Sequence, residues 1–292
     1  MNEAAKSLPA NASKRPIVEG EFLFTDEDFR RVSSMLHADS GIHLPDSKAT
    51  LVYSRLAKRL RSLGLKSFRD YCELVSGAEG ASERQAMLAS LTTNVTRFFR
   101  EPHHFDHLHD RMLPALISEA KAGGRVRLWS AGCSTGQEPY SIALTVLSAF
   151  PDAGRYDLRI LASDIDPVVL QTAKTGAYSA EAIAAIPEPM RKRWMEQTRD
   201  GWRMGAEVRD LIAFRELNLN GAWPIKGKFQ VIFCRNVAIY FEEQTQARIW
   251  ARFGDLMTDN ARLYIGHSER VTDDDRFQSD GLTVYRLRGG RA

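Results

Sequence analysis

Two hydrophobic rhythms divide the chain. Between residues 21 and 90 the apolar positions recur at helical spacing, as in Val52, Leu56, Leu60 and Leu63, with short polar connections between runs. Thr25, with Asp28 three residues on, reads as a helix cap in which Asp replaces the usual Glu or Gln of a capping box, and Gly41 is the stop. Pro45-Asp46 opens a second helix that continues to Gly64, Ser67 caps a third through Val75, and Ser82 starts a fourth to about Leu91. Such a series predicts a small helical bundle. After Gly123-Gly124 the rhythm changes to short apolar runs alternating with helical stretches. Strands are expected at 126–131, 158–163, 230–234, 261–265 and 283–287, and helices after Pro139, at 167–175 and at 243–257. Alternation of this kind predicts an α/β fold with a mostly parallel sheet and helices on both faces. One part breaks the pattern. Around Asp200-Gly201, short apolar pieces give a hairpin signal, so a small antiparallel insertion is expected at about 191–217.

The domain plan that follows has a disordered lead at 1–20, a helical domain at 21–90, a junction segment and helix at 91–122, and a sheet domain at 123–292. The junction helix restarts at Pro102 and is expected to break near Pro114. Composition adds bounds. Hydrophobic residues make up 43% and charged residues 26% of 292, ordinary values for a globular chain, and no apolar run approaches the roughly 20 residues of a membrane span. The first 20 residues carry Pro9 and Pro16 and no apolar core of a signal peptide. A net charge of +3 does not argue for nucleic-acid binding. Cys72, Cys133 and Cys234 are too few and too scattered for disulfides or zinc, which favours a reducing cytoplasm.

The first strand ends in Ser130-Ala131-Gly132-Cys133-Ser134-Thr135-Gly136-Gln137-Glu138-Pro139-Tyr140. Strand, glycine turn and helix form the entry of a nucleotide-binding unit, where a Cβ would hold a ligand off the backbone. The spacing is neither G-x-G-x-x-G nor a phosphate loop, and Glu138 would repel phosphates. Asp164 ends the second strand, where a carboxylate can accept both hydroxyls of a ribose. Arg235-Asn236 ends a later strand, and the Asn218-Leu219-Asn220 turn points to the same edge. Together these describe a pocket for a nucleoside with a cationic, amino-acid-like tail and no phosphates, which S-adenosylmethionine fits. On the second helix Lys48, Arg55 and Arg59 fall within about 40° of one another at 100° per residue, with Lys58 and Arg61 beside them. That face is either solvated or a docking surface for an acidic macromolecule. His103, His104 and His267 read as capping or packing residues, with no metal expected, Cys133 and Cys234 as buried fillers, and Phe98-Phe99 as core.

The resemblance is then specific. The stretches 94–101, 130–143, 162–166 and 232–241, with Gly266-His267-Ser268-Glu269, resemble the chemotaxis receptor glutamate methyltransferases (the CheR family), in order, across roughly residues 22–288. The resemblance implies a helical domain, a Rossmann-like class I methyltransferase sheet and an inserted β-subdomain. It implies cofactor contacts from Asn94, Thr96, Arg100, Glu138, Asp164, Asn218, Leu219, Arg235 and Asn236, with Arg100 and Tyr240 near the transferring methyl. It implies methyl transfer from S-adenosylmethionine to receptor glutamates, leaving S-adenosylhomocysteine, in the cytoplasm at chemoreceptor arrays. Lys48, Arg55, Lys58 and Arg59 would then dock the acidic helices of the receptor cytoplasmic domain, with no nucleic acid and no membrane insertion. Some family members also bind a tethering pentapeptide at the receptor C-terminus through the β-subdomain. The short turn Thr198-Arg199-Asp200-Gly201 argues against that tether here. The alternatives are a cofactor-binding regulatory relative with little turnover, a nicotinamide oxidoreductase and a nucleic-acid methyltransferase. The missing G-x-G-x-x-G and Glu138 speak against the second, and Arg235-Asn236-Val237-Ala238 is not the base-flipping motif that the third needs.

Overall fold

The structure, a computed structural model, describes residues 15–92, 94–273 and 275–289. The chain divides between residues 93 and 94 into two compact units. Of the expected disordered lead, residues 1–14 lie outside the described residues. Residues 15–20 are held in place, because Ile17 N donates to Phe24 O at 2.9 Å and Pro16 bridges Thr25.

The first unit contains α1 (Asp26–Ser40), α2 (Ala49–Leu63), α3 (Phe68–Ser76) and α4 (Ala81–Leu91). Thr25 closes a full capping box with Asp28, so Asp does here what Glu usually does. The helices bury Phe24, Val52, Leu56, Leu60 and Phe68, with the Phe24 and Phe68 rings 4.3 Å apart. Two of the basic residues on α2 turn inward. Arg55 donates to the carbonyls of Ser90, Leu91 and Thr92, which stabilises the negative end of the α4 dipole. Arg59 forms a two-pronged pair with buried Glu83, which also accepts from Tyr71 Oη at 2.9 Å. Lys48 and Lys58 stay exposed.

The second unit is a seven-stranded sheet with strand order β6-β2-β1-β7-β8-β10-β9. Its strands are β1 (Val126–Ala131), β2 (Leu158–Asp164), β6 (Ile212–Glu216), β7 (Phe229–Cys234), β8 (Met257–Ile265), β9 (Phe277–Ser279) and β10 (Val284–Leu287). The first five named pair in parallel, and β10 and β9 are antiparallel additions at one edge. Its helices are α5 (His103–His107), α6 (Leu113–Lys121), α7 (Gln137–Ala149), α8 (Pro167–Thr175), α9 (Glu188–Trp194), α10 (Ala206–Arg209) and α11 (Glu243–Leu256). Every residue of β7 and Pro139 through Leu147 of α7 are buried, so the core lies where this strand and helix meet their neighbours. The junction helix breaks as expected, but one turn early. Leu108–Met112 is a π-turn, in which Leu113 N reaches back to Leu108 O, because Pro114 has no N–H to continue the α register.

The hairpin at Asp200-Gly201 forms, as β4 (Met195–Thr198) and β5 (Gly201–Met204), and β3 (Ala177–Tyr178) pairs on its other side. The boundary of that insertion differs from the expected 191–217. Residues 212–216 are an edge strand of the large sheet, paired in parallel with β2. Hairpins announce themselves through local turn residues, whereas a parallel pair is made across a long crossover and leaves no such local mark.

One buried histidine gives the fold a pH dependence. His104 is fully buried, and its pKa is pushed down to about 3, first by burial and then by the nearby Arg235 charge. The folded chain keeps it neutral while the unfolded chain protonates it near pH 6.5. Between those values the unfolded state binds the extra proton, so this contribution is whole above pH 6.5 and is lost as pH falls below it, by at most about 1.4 kcal/mol per pH unit. The urea midpoint is expected to drop between pH 6.5 and 4.5, and to drop less in a His104→Gln variant. Identical slopes for the two proteins would contradict this assignment.

Candidate active site

The chain leaves β1 towards one edge of the sheet and returns through β7 to the other side of β1. A crevice opens where two neighbouring strands depart in opposite directions, at their carboxyl ends. The β1–α7 turn lines it. Gly132 takes φ +80°, and a Cβ there would stand 2.3 Å from Val237 Cγ2. Gly136, at φ +97°, caps α7. The N–H groups of Gly132 and Cys133 both donate to Ser163 O, which ties the turn to β2.

Asp164, at the end of β2, is buried. Its Oδ2 accepts from Ser134 N at 2.8 Å and its Oδ1 from Asp166 N at 3.0 Å. Burial raises its pKa and these backbone donors oppose the rise. A carboxylate has about four acceptor positions, so two remain for a diol.

The centre of the crevice is an ion network. Glu138 Oε1 accepts from Ser130 Oγ at 2.7 Å, and its Oε2 from Arg235 Nη1 at 3.2 Å. Arg235 also donates to Arg100 O and lies 3.4 Å from Glu101 Oε2, with its guanidinium over the Phe105 ring. All three charged side chains are largely buried. Burial raises the Glu138 pKa, against the pull of Arg235. Glu138 is therefore not an open counter-charge, as the sequence suggested, but the internal partner of Arg235. Two carboxylates flanking one guanidinium still leave an excess negative charge, which favours a cationic ligand.

The segment before α5 is pinned over this turn. Asn94 Nδ2 donates to Asp166 at 3.1 Å, Ser134 Oγ donates to Asn94 O, and Phe99 N donates to Ser141 Oγ. Phe99 and Glu101 hold left-handed φ values of 51° and 57°, a strain that packing must maintain. Arg100 keeps its guanidinium near the surface, where Nη1 donates to Val95 O at 3.3 Å. After β6, Leu217 N donates to Asp164 O, Asn218 Oδ1 accepts from Asn220 N, and buried Leu219 accepts from Trp223 and Arg252. Asp164, Asn94, Asn218 and Leu219 thus gather near the end of β2, while Glu138 and Arg235 share the ion network, which Arg100 joins only through its backbone carbonyl. Tyr240 follows in the short helical turn Ala238–Tyr240, half-buried. Among the described residues no hydrogen bond joins its hydroxyl, or the Thr96 side chain, to this network.

Glu269 is the residue that sequence reasoning did not single out. Its buried carboxylate accepts from five backbone N–H groups, those of Asn236, Val237, Ala238 and Ile239 after β7 and that of Gly266 after β8. It fixes Asn236 at φ +58°, with Oδ1 buried and without a hydrogen-bond partner among the described residues. In the sequence it stood only at the end of the Gly266-His267-Ser268-Glu269 stretch that carries part of the family resemblance, with no role attached. Glu269→Gln replaces one acceptor oxygen with a donor facing donors, and hydrogen bonds to a charged group contribute about 1.5–3 kcal/mol. A loss of that size in the urea unfolding free energy is expected; a loss below about 0.5 kcal/mol, the range of ordinary surface changes, would contradict it.

The crevice fits a nucleoside carrying a positive charge and no phosphate. Asp164 is a buried carboxylate at the strand end with acceptor capacity left over, Asn236 Oδ1 is an unspent acceptor, and the charge balance is negative. Comparison with known proteins agrees. Residues 94–286 match the family described as CheR methyltransferase, SAM binding domain, and residues 27–92 match CheR methyltransferase, all-alpha domain. A Rhizobium etli protein described as a probable chemotaxis protein methyltransferase is 54% identical over 86% of this chain and 96% of its own. Chemotaxis protein methyltransferase 2 of Pseudomonas aeruginosa is 42% identical over 95% of this chain and 99% of its own. The chemotaxis protein methyltransferase of Escherichia coli is 41% identical over 96% and 98%.

Proposed function

The chain belongs to the CheR methyltransferase family, and from that premise we propose that it methylates the side-chain carboxylates of specific glutamates on chemoreceptors, giving glutamate methyl esters and S-adenosylhomocysteine. The observation that carries the reading is the buried Glu138–Arg235–Glu101 network beside Asp164 at the switch point of the sheet. When bound there, S-adenosylmethionine supplies a methyl group on a cationic sulfur. Asp164 would accept the ribose hydroxyls, with Asn94, Thr96, Asn218, Leu219 and Asn236 completing the pocket. Arg235 holds Glu138 and the Arg100 backbone in register, and so acts as a positioning residue.

The reaction needs little proton chemistry. A glutamate side chain (pKa near 4.3) is already ionised at neutral pH, so no general base is required. A carboxylate oxygen forms a bond to the methyl carbon as the carbon–sulfur bond breaks, and the electron pair leaves with sulfur. The protein's part is to align the carboxylate and strip its water. Arg100 and Tyr240 are the groups we assign to that alignment.

The partner surface we propose is the acidic helical cytoplasmic domain of the receptor, met by the exposed Lys48 and Lys58. Arg55 and Arg59, already engaged with α4 and Glu83, shape that face more than they contact the partner. Among the described residues no helix is long and apolar enough to cross a membrane, in keeping with work in the cytoplasm at receptor arrays. The β4–β5 turn has only Arg199 and Asp200 between the paired Thr198 and Gly201, and we propose that this protein dispenses with the pentapeptide tether. Calorimetry with such a peptide is expected to show no binding at micromolar concentrations; measurable heat there would overturn the point. For the function itself, purified receptor cytoplasmic domain incubated with the protein and S-adenosylmethionine is expected to gain methyl groups on glutamates by mass spectrometry. A protein that binds S-adenosylhomocysteine yet leaves every glutamate unmodified would be a regulatory relative instead.

A further inference from the structure

Glu101 and the two histidines that follow it converge in space. Glu101 Oε2 lies 3.7 Å from His104 Nδ1, and with a ring nitrogen of His103 the three donor atoms fall within 4.8 Å of one another. The tautomer of His104 is set by its other side. Nε2 lies 2.9 Å from the Leu282 carbonyl, which can only accept, so Nε2 carries the proton and Nδ1 presents a bare lone pair. His104 is fully buried, and neither its Nδ1 nor Glu101 Oε2 has a hydrogen-bond partner among the described residues. Arg235 lies on another side of Glu101 Oε2 at 3.4 Å without a hydrogen bond, so between Oε2 and the His104 lone pair two acceptors face each other across 3.7 Å, an arrangement that a cation placed between them would relieve. Glu101 also holds a strained left-handed φ of 57°, and its other oxygen is bound by His267 Nδ1 at 3.1 Å.

We infer that Glu101, His103 and His104 form a binding site for a divalent transition-metal ion, zinc above all. Two imidazoles and a carboxylate suit zinc, cobalt or nickel and not calcium or magnesium. A histidine that donates its second ring N–H to a backbone carbonyl, as His104 does, is already held as metal-bound histidines are. Tetrahedral zinc with ligands at about 2.0–2.1 Å spaces its donors about 3.4 Å apart, close to the observed 3.7 Å. His103 is half-buried at the start of α5, with its ring 4.3 Å from that of His104. Three protein ligands leave a fourth position open. Arg235, 3.4 Å from Glu101 Oε2, makes the positive charge costlier, so the site binds more weakly than a structural zinc centre.

The test uses the untagged full-length protein, freed of metal by chelation and titrated with cobalt chloride under visible absorption. The inference predicts ligand-field bands that saturate at one ion per chain and vanish on adding zinc. His103→Ala and Glu101→Gln should each weaken binding at least roughly tenfold. Zinc should raise the melting temperature of the parent protein and not of the variants, as a ligand of the folded state must. The melting temperature of each variant without metal reports whether it folds. Absence of bands in the parent protein, or bands unchanged in both folded variants, would overturn the site.

Discussion

Arg100→Ala is expected to lower kcat/KM by about 10²–10³-fold while leaving the melting temperature of the protein almost unchanged. The separation of the two effects follows from where Arg100 sits. Its guanidinium is near the surface, with a single 3.3 Å bond to Val95 O, so its loss removes little that holds the fold. Its backbone, by contrast, is clamped, with Arg100 O bound to Arg235 and Glu101 in a strained conformation next to it. A side chain free to reach a substrate, on a backbone that is not free to move, is what aligning an incoming carboxylate demands. Steady-state rates with receptor substrate, alongside thermal melts, check this. Full turnover in the variant would remove Arg100 from the reaction without touching the fold.

Arg235→Met should do the reverse and act through stability. Glu138 and Glu101 would be left as buried carboxylates facing each other across an apolar chain, with Arg100 O deprived of a donor. Removing one partner of a buried ion pair costs about 3–5 kcal/mol, because the remaining charge has lost its compensation. Glu138 is already pushed upward by burial, and without Arg235 it would be driven further towards the neutral form. The variant should therefore unfold several kcal/mol more easily in urea, and regain part of that loss when Glu138→Gln is added. If the double variant is no more stable than the single one, the network is not held together by charge.

Much of this architecture could be read from residues alone, for identifiable reasons. Pro167 and Asp166 start α8 where they stand, because a proline at the first turn and an Asx cap act locally. Asp200-Gly201 marks its hairpin for the same reason. Asp164 could be placed because strand ends in a doubly wound sheet are positions of known meaning. What escaped was non-local. Ile212–Glu216 joined the large sheet through a parallel pairing with β2. Arg55 and Arg59 share a helix face that looks solvated in projection, yet both reach across to α4 and Glu83. Glu269 gathers donors from beyond the ends of both β7 and β8, Ile239 among them 30 residues away in sequence. The pairing of Glu101 with His104 is short in sequence, but the bare lone pair depends on Leu282, 178 residues away. No spacing rule carries that information.

A product that is an ester on a glutamate carboxylate must be labile to alkali. Chemoreceptor-containing membranes are incubated with this protein and methyl-labelled S-adenosylmethionine, then exposed to mild base. Receptor-bound label that base releases as volatile methanol is the expected result. Label that stays on the receptor through base would mean methylation of nitrogen or another base-stable group, and would contradict it.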